Sequence, residues 1–116
     1  TGEDTLSLHD ALPIWKASLE ALSFLPKDSV DPFGGTIITE WYSPPETPQE
    51  RLKMEIMITS RSLQSDGIRI TIFKERKNSS GKWIDTPIDP DTLLKVEETI
   101  LTRARELKVA EEISKE

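Results

Sequence analysis

The sequence predicts an α+β domain of order α-β-β-β-β-α, with an antiparallel sheet of three to four strands and both helices packed on one face in a helix-grip-like arrangement. Three observations predict it. Residues 51–60 and 68–72 alternate apolar and polar positions, as half-buried strands do. Asp66-Gly67 stands between them as a hairpin signal. Apolar residues recur at helical spacing near both ends of the chain.

Each element has its own local cause. Over 14–25, Trp15, Leu19 and Leu22 recur on one helical stripe that Ala21 and Leu25 widen, and Pro26 ends the helix. Residues 27–35, rich in Asp, Pro and Gly, are expected to be a connection, with Gly34-Gly35 allowing a tight bend. Residues 36–42 are β-branched and aromatic and predict the first strand. Three prolines in 43–48 predict an extended loop. In the second strand Leu52, Met54, Ile56 and Ile58 share one face, with Lys53, Glu55, Met57 and Thr59 on the other. Ile68, Ile70 and Ile72 continue the inner face after the turn, opposite Arg69, Thr71 and Glu75. Leu63 is out of phase with Ile58, which predicts a bulge near Arg61 or Ser62. After a polar turn at 78–81, Trp83 to Asp85 forms a short fourth strand stopped by Pro87. Asp89 is an N-cap, Pro90 suits the first helical position, and Asp91 favours the positive end of the dipole. Leu93, Val96, Ile100, Ala104 and Leu107 then form one stripe, with the helix expected to reach Lys108.

Composition narrows the function. The 116 residues suit one domain, and 35% hydrophobic with 31% charged content is that of a globular protein with a wet surface. A net charge of −6 argues against non-specific nucleic-acid binding, which needs surplus cations facing phosphates. The same balance argues against charge-driven attachment to anionic lipid. With no cysteine, the chain has no disulfide, thiolate metal site or cysteine nucleophile.

Residues 5–14, Thr-Leu-Ser-Leu-His-Asp-Ala-Leu-Pro-Ile, resemble a sequencing adapter translated in one frame. That resemblance implies a non-native segment over 1–14; chain length and the end of the last helical stripe predict a single domain over 15–109 and a charged, frayed tail over 110–116. The adapter resemblance also implies that the native start, with any signal it carried, is missing. The lone histidine, His9, falls in this segment, so no Ser-His-Asp arrangement is expected outside it.

Other chemistry finds little support. Asp85, Asp89 and Asp91 lie within seven residues but lack the glycine and distal glutamate of an EF-hand loop. A turn, a cap and a dipole partner account for them. Gly34-Gly35 precedes a strand rather than a helix, so it does not read as a phosphate loop. The expectation is therefore a non-enzyme with no catalytic residues, metal or cofactor. Phe33, Trp41, Tyr42, Phe73 and Trp83 form the candidate interaction surface, because aromatics beside proline-rich loops bury much area at little entropy loss. Two other roles compete: Trp41 and Trp83 cover the open edge of the core, or Trp41, Phe73 and Trp83 line a ligand pocket between a helix and a curved sheet.

The stretch from Trp15 to about Val109 resembles a family of alphaproteobacterial proteins defined by a domain of unknown function. The residues that carry the resemblance include Asp31-Pro32-Phe33-Gly34-Gly35, Trp41-Tyr42-Ser43-Pro44-Pro45, Asp66-Gly67, Pro90-Asp91-Thr92 and Ile100-Leu101-Thr102-Arg103-Ala104-Arg105. Members typically carry a lipoprotein-type signal and a lipidated cysteine. The resemblance implies a periplasm-facing domain tethered to the outer membrane through a lipid anchor, with an envelope protein as partner. The element order is also similar to the helix-grip domains of an outer-membrane assembly lipoprotein, a likeness of fold alone.

Overall fold

The computed structural model describes residues 8–59 and 67–114, with side chains from Pro13 onward. Helix α1 spans Leu8–Ala21. Five strands follow: β1 Lys27–Asp31, β2 Thr36–Thr39, β3 Glu50–Ile58, β4 Ile68–Lys77 and β5 Trp83–Thr86. Helix α2, Pro90–Ser114, closes the domain. The strands lie in chain order, β1-β2-β3-β4-β5, and every pairing is antiparallel. The α+β class and the helix at either end are as the sequence predicts.

The core lies on one side of this sheet. Ile37, Met54, Ile56, Ile58 and Ile68 present its inner face. They meet Ile14, Trp15, Ala17, Leu22 and Leu25 from the α1 end, and Ile100, Leu101 and Ala104 from α2. Each fully buried Ile or Leu contributes about 1.5–3 kcal/mol of apolar transfer. Ala17 and Ser18 of α1 and Ala104 of α2 are buried, and such small residues let helices approach closely. Glu20 clamps the pair from outside through Arg103, Nε to Oε2 at 2.8 Å. The α2 start is capped as expected: the Asp91 amide donates to Asp89 Oδ1 at 3.0 Å.

Several boundaries differ from the sequence reading, each for a physical reason. The expected connection contains β1, so the sheet has five strands among the described residues. Four of its five residues are exposed, so it has no apolar alternation to betray it. Backbone pairing with β2 alone makes it a strand, with a register shift between Lys27 and Ser29. Gly35 enables the turn into β2: its φ is 71°, and its carbonyl accepts from the Ile58 amide at 2.7 Å.

β2 stops at Thr39 rather than residue 42, and Tyr42 keeps only an isolated bridge to Leu52. Helix α1 begins at Leu8 rather than near Ile14, so the boundary expected at Trp15 falls inside it. Pro13 sits within the helix, where it withholds one N–H. α1 also ends at Ala21, before Leu25, and just beyond it the Lys27 ammonium donates to the carbonyls of Leu22 and, at 2.6 Å, Leu25. α2 passes Lys108 to Ser114, on strong helix formers and a Lys108–Glu112 pair at 3.9 Å. The bulge expected near Arg61 or Ser62 lies outside the described residues.

Two buried hydroxyls behave oppositely. Thr39 Oγ1 accepts from the Met54 amide at 2.9 Å and donates to the Glu40 carbonyl at 3.1 Å. Ser18 Oγ has no hydrogen-bond partner. Thr39→Val should therefore destabilise by about 1–3 kcal/mol, while Ser18→Ala should be neutral or stabilising. Denaturant midpoints of the two variants check this.

Arg103 holds the Glu20 carboxyl below its ordinary value of 4.5, and Arg76 does the same to Glu50, in each case chiefly through a side-chain hydrogen bond. A depressed carboxylate pKa adds stability that is present above the unfolded value and lost as pH falls through the folded one. The melting temperature should fall as pH drops below about 4.5. A Glu20→Gln, Glu50→Gln double variant should show less of that fall in scanning calorimetry.

Candidate functional site

The face of the sheet turned away from the helices carries the candidate site. The β3–β4 register pairs Arg51 with Glu75, Lys53 with Phe73, Glu55 with Thr71 and Met57 with Arg69 on that outer face. β5 adds Trp83 opposite Lys77 and Asp85 opposite Glu75. Trp41 reaches the same face from the loop after β2.

At one end these residues form a stack. The Arg51 guanidinium lies between two indoles, its Cζ 4.4 Å from the Trp41 ring centroid and 4.3 Å from that of Trp83. In its plane it meets Glu75, with Nε 2.7 Å and Nη2 2.5 Å from Oε1. Lys77 Nζ stands 5.1 Å from the Trp83 centroid. Both faces of the guanidinium and one edge are thus engaged, a use of its planar, delocalised charge that lysine cannot copy. The assembly ties the loop after β2 to β3, β4 and β5. Behind it, on the inner face, Glu50 receives Arg76 at 2.6 Å and Lys74 at 3.6 Å. One end of the hairpin is pinned on both sides.

The five aromatics of the expected surface separate into three groups. Trp41 and Trp83 come together through Arg51, and Phe73, 43% exposed, follows on the same face one residue pair along. Tyr42 does not join them. It packs against the core, with its ring centroid 6.0 Å from Phe24 at 84°. Phe33 stands at the far end of the sheet, on the β1–β2 turn, 93% exposed. Trp41, Phe73 and Trp83 face away from the helices, so they line no space between helix and sheet. The two tryptophans stack on an arginine rather than cover the core edge.

Sequence reading missed Arg51, Glu75 and Met57 as site residues. Their one signal is their phase on the polar side of each strand, which every surface strand residue shares. Among the described residues no group of three or more His, Asp or Glu is placed to hold a metal ion. No helix of the described residues is long and apolar enough to cross a membrane.

Arg51→Met keeps the side-chain length and removes the charge. It should destabilise the domain by about 2 kcal/mol, since it loses two cation–π contacts and one partly exposed ion pair. Trp41 and Trp83 should gain mobility, seen as weakened near-ultraviolet circular dichroism. An unchanged spectrum would show that the stack is not held by the guanidinium.

Comparison with known proteins gives this chain its relatives. An uncharacterized protein of Rickettsia prowazekii (strain Madrid E), RP420, is 36% identical over 96 residues, which are 83% of this chain and 57% of that protein. The chain thus spans little more than half the length of the curated relative it matches. A family model, domain of unknown function DUF3576, matches residues 10–109. With the match running from the first helix through most of the second, the chain belongs to the DUF3576 family.

Proposed function

We propose that this is a non-catalytic cell-envelope domain, facing the periplasm, that binds a protein partner through the outer face of its sheet. The observation that carries the reading is that face itself. None of the described helices lies over it, and it sets Phe73, 43% exposed, beside an ordered Trp-Arg-Trp stack, with Met57, 37% exposed, farther along β3. Tryptophan and arginine supply much of the binding energy at protein interfaces. Here both are already immobilised, so a partner would meet side chains whose ordering entropy is spent before contact. Cations such as Lys53 and Arg69 punctuate the apolar residues and favour a partner segment that carries carboxylates among apolar groups. Placement in the envelope rests on the resemblance to proteins with a lipoprotein-type signal, and the partner would then be another envelope protein.

A photo-reactive phenylalanine analogue tests this at position 73, with Thr102 on α2 as the control position. In intact cells expressing the full-length gene product, we expect a discrete protein adduct at position 73, no such adduct at position 102, and loss of the first in an Arg51→Met background. Equal labelling at both positions, or none at either, would contradict the reading. Fractionation of the same cells should place the protein with the envelope.

A further inference from the structure

The β1–β2 turn has a feature that the outer face does not use. Asp31 Oδ1 accepts from the amides of both Phe33 and Gly34 at 3.0 Å, and the Gly35 amide donates to the Asp31 carbonyl at 2.9 Å. Gly34 is hemmed in as well: a Cβ there would sit 2.4 Å from Asp31 Oδ2. This locked turn holds Phe33 into solvent, 93% exposed, with a carboxylate beside its base. With the turn backbone already fixed, docking of the ring has only its side-chain rotamer left to order.

At the other end of β1 the chain leaves an open apolar groove of about 200 Å³, lined by Leu22, Phe24, Met54 and Val96, with Lys95 on its wall. The Lys27 ammonium lies beside it on the Leu22 and Leu25 carbonyls. The groove carries cations where the turn carries Asp31. β1 separates the two by five residues, about 17 Å, so Phe33 cannot fill the groove of its own chain.

We infer that Phe33 docks in this groove on a second copy of the chain. A two-fold axis that sets the two β1 strands side by side and antiparallel brings each turn to the other copy's groove. The contact is then reciprocal and closes as a dimer rather than growing into a fibre. This self-association is independent of the partner-binding face, which lies on the other side of the sheet.

Sedimentation velocity on the chain, from micromolar to millimolar concentration, reads the outcome. A reversible monomer–dimer equilibrium is expected. Phe33→Ser should weaken it at least tenfold with the melting temperature unchanged, because the ring is 93% exposed in the monomer. Lys95→Glu should weaken it too. Asp31→Asn keeps an oxygen for both amides but removes the charge, and should weaken it less than Phe33→Ser. Phe73→Asp, on the outer face, should leave it unchanged. A wild-type chain that stays monomeric at millimolar concentration, a Phe33→Ser dimer of unchanged strength, or a dimer lost through Phe73→Asp would each overturn the inference.

Discussion

The register between β3 and β4 is the constraint on which the rest of the structure depends. It runs without a shift from Glu50 opposite Arg76 to Ile58 opposite Ile68. Side chains alternate at every residue, so a slip by one position would turn Met54, Ile56 and Ile58 into water and their charged neighbours into the core. The same register builds the opposite face. Arg51 can lie between Trp41 and Trp83 only because Arg51 faces Glu75 and Lys77 faces Trp83. Core and candidate site are two sides of one set of hydrogen bonds.

Magnitudes separate what holds the domain together from what shapes its surface. A buried isoleucine contributes about 1.5–3 kcal/mol, and Ile14, Ile37, Ile56 and Ile100 are all fully buried. An exposed ion pair such as Glu20–Arg103 is screened by solvent and contributes far less. Stability therefore rests on the inner face. The outer stack matters more for order: it fixes two large aromatics and a guanidinium in one arrangement. The unpartnered Ser18 hydroxyl fits the same view, since it sits where helix–helix approach calls for a small side chain.

The domain exposes aromatic groups in two unlike ways. On the outer face the tryptophans are half-buried and braced by cations. At the β1–β2 turn Phe33 is braced only through its backbone, by Asp31 and by glycines that admit the bend. Tyr42 belongs to neither, because its bridge to Leu52 draws it to the core side. Chain proximity grouped Trp41 with Tyr42, yet adjacent residues in an extended segment point to opposite sides.

Much of this was legible in the sequence. Alternation placed Leu52, Met54, Ile56 and Ile58 on one face. The Asp89-Pro90-Asp91 triplet marked the start of α2, and helical spacing identified Ile100 and Ala104 as core. These features are local: each follows from periodicity or from a cap within one turn. Tertiary structure decided the rest. β1 is a strand only because β2 lies beside it, and its exposed side chains carry no pattern. α1 starts before Pro13 because one missing hydrogen bond is tolerated in a helix that buries Ile14 and Trp15. Arg51 joins the site because residues 41, 51, 75 and 83 converge, and that convergence depends on a strand register set by turns and packing that no local pattern encodes.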